Sequence, residues 1–129
     1  MKTGAIMLSL LALSGCAARG SLDERERTGL ERDLAAREAG APQACVTRLQ
    51  ATSLNAVDRR TIVYDTGRTL YVSRLAADCP SLRPDVTLVV ESFGDRYCEN
   101  DRVRALEQGS SIPGPICRLG EFTPYRVRG

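Results

Sequence analysis

The chain has no histidine and no tryptophan, and its only lysine is Lys2. Without histidine, Ser–His and Cys–His catalytic pairs are excluded, and so is the commonest protein ligand for metals. Without lysine beyond position 2, a Schiff base and a lysine general base are excluded as well. Acid–base chemistry would depend on Asp, Glu or Tyr. We therefore predict that the protein is not an enzyme, and an enzyme using Asp101 or Glu91 is the less favoured alternative.

An excess of either charge is also missing. Eighteen basic residues, all but Lys2 being arginines, are opposed by 16 acidic residues. Nucleic-acid-binding domains usually carry a strong basic excess. No Gly-rich phosphate-binding loop occurs in the chain. We predict no nucleic-acid partner and no cofactor.

Long apolar runs are absent too, since the longest near the N-terminus covers residues 5–13. A permanent membrane-spanning helix needs about 20 apolar residues, so this run is too short. It follows Lys2 and ends in Leu13-Ser14-Gly15-Cys16, an order typical of an export signal. The alternative is an ordinary secretory signal with a coincidental cysteine.

The Leu-Ser-Gly-Cys tetrapeptide resembles the lipobox of bacterial lipoproteins. The resemblance implies that residues 1–15 are a signal peptide and that Cys16 is the first mature residue, modified with diacylglycerol. Ala17 follows in place of Asp, which resembles the pattern of lipoproteins sent to the outer membrane. We therefore expect a lipid-anchored protein on the periplasmic face of that membrane.

The five cysteines are an odd number, and lipid on Cys16 leaves four. An even set in an oxidising compartment predicts two disulfides among Cys45, Cys79, Cys98 and Cys117. Structural zinc sites usually bring two cysteines within two to four residues of each other. Here 33, 18 and 18 residues separate successive cysteines, so we predict no metal. Of the three possible pairings, we prefer Cys45–Cys117 with Cys79–Cys98.

Composition divides the mature chain into two parts. Residues 16–44 are rich in charge and predict a lipidated, charged tether with a short helix over residues 29–39, which Gly40 and Pro42 would end. Because the segment has few apolar residues, we expect it to add little to the stability of the body. A partner-binding arm is the alternative.

Residues 45–129 show the two-residue alternation of β-strands. Two runs around Asp65-Thr66-Gly67-Arg68 predict a hairpin with Gly67 in the left-handed position. Further strands are expected over residues 46–57, 86–91, 102–106 and 122–127, and Pro124 should confine the last one to an edge or a bulge. The fold class is mainly β: a small disulfide-bonded barrel or sandwich of about five or six strands.

Several stretches, taken in order, resemble an uncharacterised family of small proteobacterial envelope proteins, a domain of unknown function. They are residues 56–58, 61–63, 71–75, 79–82 (Cys-Pro-Ser-Leu), 97–101 (Tyr-Cys-Glu-Asn-Asp) and 117–124 (Cys-Arg-Leu-Gly-Glu-Phe-Thr-Pro). The resemblance implies an exported, disulfide-bonded, mostly β domain, and it supplies no catalytic residues. Arg59-Arg60 follows Asp58 where the family leads us to expect a second acidic residue.

These observations favour a non-enzymatic envelope lipoprotein that binds or braces another envelope component. The alternative is a periplasmic inhibitor of a lysozyme-like hydrolase, because residues 92–97 resemble the inhibitory loop of small lipidated inhibitors of similar size. Two groups of polar residues each allow two interpretations. The cluster of Asp95, Glu99, Asn100 and Asp101 is a polar turn or a cation site. The Asp58-Arg59-Arg60 group is a solvated turn or an anion site.

Overall fold

The computed structural model describes residues 22–129, so the predicted signal peptide and Cys16 lie outside the described residues. These residues form one helix, α1 (Leu22–Ala35), and ten strands. The strands are β1 (Arg37–Ala39), β2 (Cys45–Thr47), β3 (Leu54–Asp58), β4 (Thr61–Asp65), β5 (Thr69–Arg74), β6 (Thr87–Glu91), β7 (Arg96–Cys98), β8 (Arg102–Leu106), β9 (Cys117–Arg118) and β10 (Phe122–Val127). Within the described part of the chain, no helix is long and apolar enough to cross a membrane.

All strand pairs are antiparallel and belong to three sheets. The largest sheet has the order β1-β10-β5-β4-β3, the second pairs β2 with β7, and the third has the order β6-β8-β9. The mainly β, disulfide-bonded fold is therefore confirmed. The strands of residues 22–129 outnumber the five or six expected, because several are only two or three residues long, and their sheets are not closed into a barrel.

In β4 and β5, successive side chains point to opposite sides of the sheet, and apolar residues occur on both sides. The largest sheet therefore has two apolar faces. Ile62 and Tyr64 face a core to which all three sheets contribute, including Val46 of β2 and Val103 of β8. On the other face, a second cluster contains Val57, Leu70, Val72 and Leu30 of α1. The molecule is thus layered as helix, large sheet, and two small sheets.

The predicted hairpin is confirmed by the pairing of β4 with β5, which places Tyr64 opposite Tyr71. Gly67 has a φ of 92°, the left-handed conformation that a glycine adopts without steric cost. Its amide donates to the Asp65 carboxylate at 2.8 Å, which closes the turn. Local sequence chemistry therefore determines this element.

The strand expected over residues 46–57 is two strands. Both β2 and β3 lie in this range, but they belong to different sheets. Between them the chain reverses through Ala51, whose φ is 61°. The irregular spacing of apolar residues in this stretch follows from the change of sheet.

Of the two expectations for Pro124, the edge is wrong, since β10 pairs with β1 on one side and β5 on the other. The bulge fits better, because the register shifts by one residue across Pro124: Ala39 lies opposite Tyr125, and Gln43 lies opposite Phe122. Pro124 lies opposite Tyr71, and its carbonyl accepts the Gly40 amide at 2.7 Å. The β1 strand ends at Ala39, so the N–H that proline lacks falls just beyond the β1 ladder. Its absence therefore costs the sheet little.

The two disulfides join the four expected cysteines, but the preferred pairing is wrong. The bonds are Cys45–Cys98 and Cys79–Cys117. In the β2–β7 pair, Cys45 lies directly opposite Cys98. The ends of the body, which the predicted Cys45–Cys117 bond would have tied, are held instead by strand pairing between β1 and β10.

The N-terminal segment packs against the sheet, contrary to the expectation that it adds little to the body. The helix begins at Leu22 and ends at Ala35, earlier at both ends than predicted, and β1 follows it. Leu30 is 9% exposed, and the partly buried Leu34 packs beside it. Two leucines one turn apart are enough for a narrow helix face to cover Val57, Leu70 and Val72.

Leu30→Ala should lower the free energy of unfolding by about 2 kcal/mol, because a buried leucine loses most of its packing on truncation. Leu22→Ala is the matched control on the same helix, since Leu22 is 54% exposed, and it should change stability by less than about 0.5 kcal/mol. Urea unfolding of both variants measures the difference. Equal effects would show that the helix does not dock.

Candidate functional site

The solvent-facing side of the three-stranded sheet is the most unusual surface of the described chain. Leu88 and Val90 of β6 and Val103 and Ala105 of β8 face the core. The alternate positions therefore face outward, and we call this surface the outer face. Its members are Thr87, Val89, Glu91, Arg102, Arg104, Leu106 and Arg118.

Strand register brings these side chains into contact distance across the sheet. Arg102 lies between Glu91 and Arg118, and Arg104 lies opposite Val89. Arg102 pairs with Glu91 at 3.6 Å, and the Arg118 guanidinium donates to the Asn100 carbonyl at 2.9 Å. Three arginines against one carboxylate leave the outer face with net positive charge.

Arg104 differs from the other two arginines in its hydrogen bonding. Among the described residues, its buried Nε has no hydrogen-bond partner. A buried polar atom without a partner is unfavourable, and native proteins leave few of them.

The loop between β6 and β7 places an aromatic ring at the edge of the outer face. Phe93 is 94% exposed. Gly94, next to it, has a φ of 73° and sets the sharp turn of the loop. The Asp95 carbonyl accepts the Arg48 amide at 2.7 Å, and the loop leads directly into β7 with its Cys45–Cys98 bond. The ring is thus displayed from a loop that is anchored on its C-terminal side.

Of the seven large hydrophobic residues that are exposed within residues 22–129, four belong to the three-stranded sheet or its connecting loops. They are Val89, Phe93, Ile112 and Ile116. Phe93 lies next to Arg102 and Arg118, whereas Ile112 lies in the loop whose Gly114 amide donates to the Ala105 carbonyl near the other end of β8. The apolar side chains that meet the arginines of the outer face are therefore Phe93 and Val89.

A cavity of about 510 Å³ lies beside Phe93. It is bordered by Glu91, Asp101, Arg102 and Arg118, together with Ser92 and Asn100. The residues singled out as an enzymatic alternative therefore meet here. Asp101, however, accepts the Cys98 amide at 2.8 Å, and Glu91 pairs with Arg102. Both carboxylates thus have structural partners.

The four residues of the predicted polar cluster are divided by β7: Asp95 precedes the strand, and Glu99, Asn100 and Asp101 follow it in a polar turn. Asn100 has a φ of 69°, and its amide donates to the Leu119 carbonyl at 2.9 Å. The Asp101 carboxylate caps the same turn. Within the described residues, no group of three or more His, Cys, Asp or Glu side chains could hold a metal ion.

A second cavity, of about 630 Å³, lies between the edge of β9 and the loop that follows β5. Its charged lining is mixed, with Arg74 and Arg118 near Asp78, Glu99 and Glu121. The cavity beside Phe93 is also lined by charges of both signs, so charge does not distinguish the two cavities. We place the stronger candidate site on the outer face because only that cavity is bordered by a fully displayed aromatic ring, Phe93.

The Asp58-Arg59-Arg60 group connects β3 to β4, and two of its three side chains are occupied. The Asp58 carboxylate accepts the Arg60 amide at 2.8 Å and the Arg27 guanidinium of α1 at 3.0 Å. The Arg60 guanidinium donates to the carbonyls of Leu75 and Ala76. Arg59 is exposed, so only Arg59 remains available for an anion.

The pKa of the Asp58 carboxyl is lowered in the folded protein. Burial alone raises it, but hydrogen bonds from the Arg60 amide, the Arg27 guanidinium and the Thr61 hydroxyl, with the charge of Arg27, outweigh the burial. A carboxyl with a lowered pKa stabilises the fold above its unfolded-state pKa, and this stabilisation is lost as the pH falls through its folded-state value.

Sequence reasoning singled out the loop at residues 92–97 but did not find the outer face. Arg102 and Arg104 alternate with Val103 and Ala105, which is the ordinary pattern of a half-buried strand. What makes the surface unusual is the alignment of β8 with Val89, Glu91 and Arg118. Pairing between distant strands cannot be read from one strand alone.

Fold and surface together define a small, disulfide-bonded, mainly β domain with one docked helix and an arginine-rich, partly apolar outer face. The chain belongs to a family described as "Family of unknown function (DUF6491)", which matches residues 1–128. The resemblance to a domain of unknown function is thereby confirmed, and the match extends well beyond residues 45–125. No curated protein and no solved structure matches the chain.

Asp58→Asn should lower the free energy of unfolding at pH 7 by about 1–2 kcal/mol, because the hydrogen bonds to a charged acceptor are weakened. The difference from the wild type should shrink as the pH falls below the ordinary aspartate value of 3.8. Urea unfolding at pH 7 and pH 3 measures both quantities. Glu38→Gln, which removes an exposed carboxylate from β1, controls for the loss of charge. A constant difference across this pH range would contradict the ionic role of Asp58.

Proposed function

We propose that the protein is a non-enzymatic, lipid-anchored component of a proteobacterial envelope that binds another envelope protein through its outer face. The observation that carries this proposal is the exposure of Phe93 beside a row of arginines. Aromatic and arginine side chains dominate the energetics of protein–protein interfaces. The lipobox-like tetrapeptide at residues 13–16 supports export to the envelope and lipidation of Cys16.

The chemistry of the outer face indicates what its partner carries. Arg102 and Arg118 already bind Glu91 and the Asn100 carbonyl, each through one nitrogen, but a guanidinium has five N–H donors and keeps others for a partner. With Arg104, they favour carboxylates, which arginine can bind through two parallel hydrogen bonds. Phe93 and Val89 favour an apolar side chain next to those carboxylates. The expected partner surface is therefore acidic with an apolar centre.

A second function is favoured by the same loop. Residues 92–97 project Phe93 next to a cavity, and an exposed loop of this kind suits insertion into the cleft of a hydrolase. The second candidate is thus a periplasmic inhibitor of a lysozyme-like enzyme. In this case the partner is the enzyme, and Phe93→Ala should weaken inhibition.

Cys16→Ser should abolish lipidation, and with it attachment to the outer membrane, because only a thiol can form the thioether to diacylglycerol. Several acyl chains give stable anchoring, whereas a single chain gives marginal binding. The wild type should fractionate with the outer membrane, and the variant should be soluble or should retain its signal peptide. A wild type that is recovered as a soluble periplasmic protein would refute the anchor.

A photoreactive residue at position 93 should trap the partner in living cells. Position 127 is the matched control, since Val127 is also exposed, at 59%, but lies on β10 away from the outer face. Arg104→Glu should reduce the trapping at position 93, whereas Arg68→Glu, in the β4–β5 turn, should not. Equal trapping at both positions, or no effect of Arg104→Glu, would contradict the proposed surface.

The identity of the trapped protein separates the two functions. A hydrolase that is inhibited by the purified protein, with weaker inhibition by Phe93→Ala, would favour the inhibitor. A trapped protein without hydrolytic activity would favour binding or bracing. Turnover that Asp101→Asn abolishes would contradict both.

A further inference from the structure

We propose that the end of the body that carries the β3–β4 turn faces the lipid surface that holds Cys16, with the Arg59 guanidinium directed at lipid phosphates. This inference rests on the proposed lipidation of Cys16. It adds an orientation and a second interaction surface, which the anchor alone does not imply.

The first step is the reach of the chain. Six Cα–Cα steps separate Cys16 from Leu22, where α1 begins. A fully extended chain spans at most about 3.5 Å per residue, so the start of the helix lies within about 21 Å of the lipidated residue. Because α1 and β1 are packed on the large sheet, residues 22–39 cannot lengthen this tether. A segment that looks like a long spacer in sequence is therefore a short one.

The second step is the direction of the helix. Near its N-terminal end, Arg27 donates to Asp58 of the β3–β4 turn at 3.0 Å. Just beyond its C-terminal end, Arg37 donates to the Arg68 carbonyl of the β4–β5 turn at 3.4 Å. These two turns are at opposite ends of the β4 strand. The helix therefore starts at the β3–β4 end, and the short tether attaches there.

The third step is the chemistry of this end. A cavity of about 460 Å³ there has a mixed charged lining, with Asp23, Glu31, Asp58 and Asp78 near Arg27, Arg59, Arg60 and Arg74. Since these charges balance, the cavity itself favours no anion, and the group available to phosphate is the exposed Arg59 side chain. Asp58 and Arg60 are committed to other groups of the body. Arg59 is exposed, while its carbonyl accepts the Cys79 amide at 2.8 Å and fixes the turn. Arginine is well suited to phosphate because its planar guanidinium can donate two hydrogen bonds.

This orientation leaves the outer face accessible. Helix α1 covers one face of the large sheet, whereas the three-stranded sheet belongs to the layer on the other face. Lipid at the β3–β4 end and a protein partner on the outer face therefore use different surfaces. Both can be occupied at the same time.

The test compares two arginines in two turns of the same sheet. A fluorescent noncanonical residue replaces Arg59 or Arg68 in the full-length, lipidated protein, and both positions are exposed. The protein is reconstituted in phosphatidylethanolamine–phosphatidylglycerol vesicles that contain a nitroxide-labelled headgroup. The two turns are separated by about 20 Å along the strands, so quenching should be several-fold stronger at position 59. Equal quenching, or stronger quenching at position 68, would overturn the orientation.

A longer tether provides the control. Twenty Gly/Ser residues inserted between Ser21 and Leu22 add about 25 Å of flexible reach. The difference between positions 59 and 68 should then largely disappear, and its persistence would show that the tether does not set the orientation. Protein that fails to float with the vesicles would refute the lipid anchor itself, and this inference with it. Protein that floats but shows equal quenching would refute the orientation alone.

Discussion

The structure depends on the need to bury both faces of the five-stranded sheet. Ile62 and Tyr64 make one face apolar, and Leu70 and Val72 make the other apolar. A sheet with two apolar faces needs a covering layer on each side, since exposed apolar surface is unfavourable in water. The small sheets cover the first face. The second face would otherwise be exposed to solvent. The charged N-terminal helix therefore packs against it, although Leu30 and Leu34 are its only apolar side chains in that cluster.

This constraint explains which parts of the fold were predictable. The β4–β5 hairpin is specified locally, by two alternating runs around a turn with Gly67 in the left-handed conformation. The position of β10 and the disulfide pairing are specified by distant contacts. Pro124 is tolerated inside the sheet because β1 ends before reaching it, and Cys45 meets Cys98 because β2 pairs with β7. Neither contact can be inferred from the spacing of residues along the chain.

The candidate site also has one part that the local sequence specifies and another that depends on pairing between distant strands. Phe93 lies in the loop at residues 92–97, which the sequence singled out through a local resemblance to the inhibitory loop of small lipidated inhibitors. The grouping of arginines on the outer face cannot be seen in any one stretch of sequence. Arg102 and Arg118 are sixteen positions apart and become neighbours only through the pairing of β8 with β9. The absence of histidine, by contrast, constrained the chemistry from the start. The carboxylates near Phe93, those of Glu91 and Asp101, have structural partners.

Each disulfide stabilises a sheet that is too small to be stable by strand pairing alone. Isolated two-stranded ladders are marginal in water. The β2–β7 pair contains Cys45–Cys98 within its ladder, and Cys79–Cys117 ties β9 to the loop after β5. Since the outer face and the Phe93 loop belong to these small sheets, their geometry depends on both bonds. The large sheet and α1 are held by apolar packing instead. The part of the molecule proposed to bind a partner is therefore the part whose geometry depends on disulfides. Disulfides persist in oxidising compartments, such as the one that the predicted export signal at residues 1–15 implies.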